Sequence, residues 1–182
     1  ASSETDDEGN TALHAATFAA VWRTAKDDGG LAVVRTLLEF GGGDVDTVNT
    51  GGFTALHVAA SIGHAGLVQA LAGAGAAMDL QVHNGGLTAL HLAAKEGHLE
   101  VVRAILASGA DPDAKDDDGA TPLVIAANSG HVEAIRALLA GGASVAVADN
   151  EGRSALHAAT ARERGGFDMA RVLLEGGASS HS

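Results

Sequence analysis

The 182-residue chain has no cysteine and no tyrosine, one tryptophan and two prolines, and fewer than half as many basic residues as acidic ones. The missing thiols exclude disulfides and thiolate metal sites, and they remove the nucleophile of cysteine hydrolases. Aromatic residues make up 3% of the chain against 46% hydrophobic residues overall, mostly Ala, Leu and Val. A core built on a few large rings is therefore excluded. The 11 Lys and Arg against 23 Asp and Glu leave a formal net charge of -12. Such a surface repels a nucleic-acid backbone, because binding there depends on cationic side chains displacing counterions. It disfavours anionic membranes for the same reason. No apolar run approaches the ~18 residues a membrane-spanning helix needs. The acidic start ASSETDDEGN is the opposite of a secretory or mitochondrial leader. These exclusions predict an intracellular, cytoplasmic protein with no nucleic-acid partner and no membrane insertion.

What the chain has in quantity is glycine, 25 residues, and repetition. TALH starts at Thr11, Thr54 and Thr88, TPLV at Thr121 and SALH at Ser154, at intervals of 43, 34, 33 and 33 residues. A small pair follows each motif: Ala15-Ala16, Ala59-Ala60, Ala93-Ala94, Ala126-Ala127 and Ala158-Ala159. Gly63-His64, Gly97-His98 and Gly130-His131 stand nine and ten residues after their threonines, and Leu71, Ile105 and Leu138 stand seventeen after. Gly75-Ala76, Gly109-Ala110 and Gly142-Ala143 close each unit. This pattern resembles the ankyrin repeat, which has a period of about 33 residues and a T-P-L-H-x-A signature. The resemblance covers nearly the whole chain. It implies an all-α repeat fold, an ankyrin solenoid of about five helix-turn-helix repeats joined by β-hairpin-like fingers. One domain is expected over 1–182, with a tail at 1–6 and repeats near 7–49, 50–83, 84–116, 117–149 and 150–180.

The third repeat shows the local logic. Thr88 is an expected N-cap, its hydroxyl accepting from an unpaired first-turn amide. Leu90, Ala93 and Ala94 give a short inner helix with a small-residue face, and Gly97 supplies the left-handed position that ends it. A second helix from Leu99 carries Val101, Val102, Ile105 and Leu106 at helical spacing. Neither helix is stable alone, since isolated helices below ~12 residues are marginal in water. Each pair must be held by its neighbours, and the alanine pairs let adjacent inner helices approach closely.

Nine histidines in an acidic chain raise a metal site. Seven of them fall in two repeat slots: His14, His57, His91 and His157 in one, His64, His98 and His131 in the other. Slots of a solenoid lie along a line, whereas ligands of one metal converge on a point. The resemblance implies that the TxLH imidazole hydrogen-bonds within and between repeats; Val124 fills that slot in the fourth repeat and removes the bond there. The run Asp116-Asp117-Asp118-Gly119 fails as a calcium loop, because Ala114 and Ile125 stand where oxygen ligands are required. The glycine runs at 29–30, 41–43 and 85–86 precede no Gly-Lys-Ser/Thr, and no G-x-S-x-G elbow exists. No enzyme activity, catalytic residue, metal or cofactor is expected.

The resemblance implies partner binding through finger tips and the concave face of the inner helices. Slot by slot this selects Thr50 and Phe53, then Asn84 and Leu87, then Asp117 and Asp118, and finally Asn150, Glu151 and Arg153 on the fingers. On the inner helices it selects Ser61, Ile62, Lys95, Glu96, Asn128 and Ser129. Phe53 and Leu87 either await a partner or tuck onto the finger base. The acidic tips predict a protein partner with a basic segment, bound by a monomer. The alternative is a regulatory or targeting segment of a larger enzyme or channel whose activity lies outside this chain. The first repeat is longer by ten residues in FAAVWRTAKDDGG, read as an inner helix running to about Lys26 and an Asp27–Gly30 turn. Trp22 on this elaboration either plugs the end of the stack or anchors a partner. Repeat five carries extra residues at 162–167, and repeat two carries one near 83–86. Such irregularity argues against a consensus-designed array, and the ordinary Leu173-Leu174 near the end suggests a segment of a larger protein.

Overall fold

A computed structural model describes residues 5–22, 29–41, 43–162 and 165–179. The helices come in consecutive pairs: α1 (Ala12–Trp22) with α2 (Gly29–Glu39), α3 (Ala55–Ile62) with α4 (Ala65–Gly73), and α5 (Ala89–Glu96) with α6 (Leu99–Ala107). Two more pairs follow, α7 (Pro122–Ser129) with α8 (Val132–Ala140) and α9 (Ala155–Thr160) with α10 (Gly166–Ser179). The odd-numbered helices pack against one another in chain order, and so do the even-numbered ones, giving two layers of stacked helices. Among the described residues no helix is long and apolar enough to cross a membrane.

The helix starts follow from threonine. Thr54 and Thr88 hold extended backbone, and each hydroxyl accepts from the amide of the histidine three residues on. That histidine returns the bond, its Nδ1 accepting from the threonine amide at 3.2 and 3.1 Å. Two first-turn donors are thus satisfied reciprocally, the logic of a capping box with imidazole in place of a carboxylate. Thr121 caps α7 alone, accepting from the Val124 amide, with Pro122 opening the helix where its missing amide costs nothing. The inner helices α3, α5 and α7 all end at glycines with positive φ, of which Gly97 (φ 75) is representative. The outer helices α4, α6 and α8 are nine residues long, so tertiary burial must supply their stability.

That burial is continuous. One cluster of buried side chains runs from Leu13 to Leu173. Leu56, Leu90 and Leu123 of the inner layer and Leu71, Ile105 and Leu138 of the outer layer are all 0–1% exposed. Ala59, Ala60, Ala93, Ala94, Ala126 and Ala127 are wholly buried, as expected of small residues at the inner-helix contacts.

The first pair departs from expectation. Gly29 and Gly30 open α2 instead of forming a turn. The reason is proximity: a Cβ on Gly30 would collide with Ala20, so the glycine lets α1 and α2 cross closely. Residues 23–28, including the stretch expected to extend the inner helix to Lys26, lie outside the described residues. Trp22 closes α1, and its side chain is likewise outside the described part.

Candidate functional site

The fingers between helix pairs are tight turns with a repeated clasp. Asn49, Asp116 and Asp149 each sit five residues before the capping residue, and their amides donate to the carbonyls of Phe53, Ala120 and Arg153 at 3.0 Å. Their side-chain Oδ1 atoms accept two finger amides each: Gly51 and Phe53, Asp118 and Ala120, Glu151 and Arg153. Asp6 does the same for Glu8 and Asn10. At Asp6 and Asp149 these amide bonds favour the ionised carboxyl. Asp6 is held below the usual carboxylate range by Asn10, first through its side-chain amide and then through its backbone. Asp149 is lowered first by the Arg153 amide and then by the Arg153 guanidinium, whose Nε lies 2.9 Å from Oδ2. The slot in the third pair is His83, and there Val82 closes the finger by donating to the Leu87 carbonyl at 2.9 Å. Single antiparallel bridges, Thr5 with Thr11 and Ala148 with Ser154, are the pairing found at the finger bases among the described residues.

The first and second, the third and fourth, and the fourth and fifth fingers are tied tip to tip. The Thr50 amide and hydroxyl both donate to the Glu8 carbonyl, at 3.0 and 2.7 Å. The Asp117 amide donates to the Gly85 carbonyl at 3.1 Å, and the Asn150 amide to the Asp118 carbonyl at 2.9 Å. Thr50, Asp117 and Asn150, selected from sequence as contact residues, therefore also hold the row of fingers together. Arg153 braces its own finger, bridging Asp149 and Glu151 at 2.9 Å each. Asn84, Asp117, Asp118, Glu151 and Arg153 are exposed.

Further bonds run deeper between pairs. The Nε2 of His14 donates to the Phe53 carbonyl, that of His57 to Leu80, and that of His91 to Ala120, at 2.8, 2.9 and 3.1 Å. Because Nδ1 of each ring accepts from a backbone amide, the proton is assigned to Nε2 by the network. Burial pushes the His57 and His91 pKa values below the ordinary histidine value, keeping the rings neutral. At the end of the inner helices, His98 donates to the Ser61 carbonyl at 3.0 Å and His131 to the Lys95 carbonyl at 2.9 Å. Arg162 supplies the same rung in the fifth pair, its guanidinium donating to the Asn128 carbonyl at 2.6 Å. Seven histidines thus fall in slots that cap or cross-link helices, and among the described residues no three His, Asp or Glu side chains converge to hold a metal.

The inner-helix positions beside the fingers are open. Ser61, Lys95, Glu96 and Asn128 are exposed, and Ile62 and Ser129 are half-buried. Phe53 and Leu87 are half-buried. Phe53 stands edge-on to the His57 ring, with centroids 6.3 Å apart and planes at 82°. It borders a cavity of about 210 Å³ with Asn49, His57, Val58, Ser61, Ile62 and Phe18. The structure thus brings Phe53 and Ile62 together, and leaves the candidates of the fourth and fifth fingers further along the row. Phe18 was not selected from sequence, although it stands seven residues after Thr11, as Ser61, Lys95 and Asn128 do after theirs. That shared offset is the signal that identifies it.

Short helix pairs stacked in two layers, cross-linked rung by rung and edged by a row of fingers, define a helical-repeat protein. The sequence pattern described as ankyrin repeats (3 copies) matches residues 20–116 and, in a second match, residues 106–182. The chain belongs to the ankyrin-repeat family. Repeats of this family are in general non-catalytic modules of protein–protein interaction. Among curated proteins, none matches the chain.

Proposed function

We propose that this chain binds another protein through its finger tips and the concave face of its inner helices, and that the contacted segment is basic. The observation that carries the reading is the braced row of fingers. The third, fourth and fifth tips are tied in series by main-chain bonds while Asp117, Asp118 and Glu151 stay exposed. A strip ordered before binding loses little conformational freedom on association, which favours affinity. The net charge of -12 favours a cationic partner and accelerates its encounter. Asn84 and Leu87 on the third finger, Lys95, Glu96 and Asn128 on the inner helices, and Asn150 and Arg153 on the last finger complete the strip. Trp22 belongs to the same reading as a candidate anchor at its N-terminal end.

Affinity capture with the full chain as bait, followed by calorimetry on the purified partner, tests this. Replacing Asp117 and Asp118 with serine is expected to weaken binding and flatten its salt dependence, with the thermal transition retained. Unchanged affinity in that variant removes the tips from the interface.

A further inference from the structure

The cavity at the N-terminal end of the finger row has a composition unlike the rest of the strip. Beside His57, Val58, Ser61 and Ile62 of α3 it is walled by Phe18 of α1, at a slot that holds Ser61, Lys95 and Asn128 in the next three pairs. Phe18 is 42% exposed, and it faces Phe53 of the second finger and Val58 and Ile62 of α3 across the cavity. Elsewhere the slot holds Ser61, Lys95, Asn128 and Ala161, and Phe18 joins Phe53, Val58 and Ile62 in one apolar patch, the kind of surface that marks an interaction site. The volume of this half-open cavity, about 210 Å³, falls below the ~300–1,000 Å³ typical of small-molecule sites. It is the scale of one side chain.

Two acids stand near this cavity without lining it, and hydrogen bonds hold them in place. Asn49, which lines the cavity, donates from Nδ2 to Oδ1 of Asn10 at 3.0 Å. Asn10 in turn donates from its own Nδ2 to Asp6 Oδ2 at 3.1 Å and to Glu8 Oε2 at 3.3 Å. Two carboxylates therefore stand one asparagine beyond the cavity wall, both on exposed residues. An acidic or neutral segment gains nothing from these acids, whereas a cationic one gains a paired acceptor.

Resting on the protein-binding reading above, we propose that this cavity is the anchor site of that surface. It takes one aromatic or large aliphatic side chain from an extended partner segment, with a neighbouring Arg or Lys of the segment held by Asp6 and Glu8. Apolar contact supplies the anchor and the carboxylate pair sets the direction in which the segment lies along the fingers. The remaining acidic tips then extend the contact.

Three short capped peptides probe the site on the full ¹⁵N-labelled chain: one with Phe beside two Arg, one with Ser replacing the Phe, and one with Glu replacing both Arg. The Phe-Arg peptide is expected to shift the amide resonances of Phe18, Phe53, Val58 and Ile62, and to bind about tenfold tighter than either control. Phe18→Ser, at a half-exposed position, is expected to keep the thermal transition and lower Phe-Arg affinity to that of the Ser peptide. The pair Asp6→Asn and Glu8→Gln is expected to remove only the advantage conferred by arginine. Equal binding of the Phe-Arg and Ser-Arg peptides, or shifts confined to the fourth and fifth fingers, overturns the anchor site and leaves the broader acidic strip standing. No binding of the Phe-Arg peptide also overturns the anchor site. Partner capture that is insensitive to the finger tips overturns the broader reading instead.

Discussion

Replacing Gly97 with alanine tests how the rungs between helix pairs keep the inner helices in register. Gly97 ends α5 at φ 75, where an L side chain raises the backbone energy by roughly 1–2 kcal/mol. A Cβ there would lie 2.6 Å from Nδ1 of His131, inside any tolerable contact. The ring must move, and its 2.9 Å bond to the Lys95 carbonyl moves with it. A net hydrogen bond is worth about 0.5–1.5 kcal/mol, so the total loss is roughly 1.5–3.5 kcal/mol. In a chain of this size each kcal/mol lowers Tm by about 2–4 °C, which makes the expected drop about 3–14 °C. Gly109→Ala is the matched control, with φ 91 and nothing within 4 Å of the added Cβ. It carries the backbone cost alone. Urea unfolding of both variants, and of Gly97→Ala in a His131→Ala background, separates the two terms. With the ring absent, Gly97→Ala is expected to cost no more than Gly109→Ala, a coupling of the kind double-mutant cycles measure. Equal losses in the two single variants of the intact chain would refute the reasoning.

Other predictions follow from the same contacts. Ala93→Leu places extra methylenes at a wholly buried position between inner helices, and overpacking of this kind costs about 1–3 kcal/mol, read as a lower Tm; an unchanged transition would remove Ala93 from the helix contact. His57 and His91 have folded-state pKa values below the ordinary 6.5. Their stabilisation is therefore complete above pH 6.5 and is lost as pH falls from there through the folded values, at up to about 1.4 kcal/mol per pH unit for each ring. Denaturant midpoints across that window should fall less steeply in a His57→Gln, His91→Gln chain, and an identical slope would show that these rings are not the titrating groups. Asp6 and Asp149 are lowered from 3.8, so their contribution persists through that window and disappears only as pH falls below 3.8.

Much of the fold was legible because each repeat writes its own local rules. A threonine that must cap, an alanine pair that must pack and a glycine that must turn left each act within a few residues, so their spacing reads directly as helix starts and stops. Contacts between repeats are less legible, since they depend on side-chain reach and not on slot alone. Arg162 stands eight residues after Ser154, where His98 and His131 stand ten after their threonines, and its longer side chain reaches the equivalent carbonyl. Gly29 and Gly30 read as a turn because glycine in a polar run does so by default, yet Gly30 serves a close helix crossing. The finger clasp was visible in principle, as Asp6, Asn49, Asp116 and Asp149 at one offset, but His83 interrupts the series. For the site, Phe53 and Ile62 could be placed on the right side of the molecule. Phe18 keeps the offset of Ser61, Lys95 and Asn128, but it opens the stretch that carries the extra residues of the first repeat, and that stretch drew attention to Trp22 instead.

Val124 has a consequence for how the molecule comes apart. Every earlier pair offers an imidazole to a carbonyl of the pair that follows, and α7 offers a buried isopropyl group instead. In a linear array, opening costs what the nearest-neighbour couplings add up to. The junction before α9, itself only six residues long, lacks this imidazole bond. The last helix pair is thus set to open as its own cooperative unit ahead of the middle of the stack. Native-state hydrogen exchange should find the amides of α9 and α10 sharing one opening free energy, lower than that of α5 and α7. The imidazole ladder thus stops one pair short of the end furthest from Phe18.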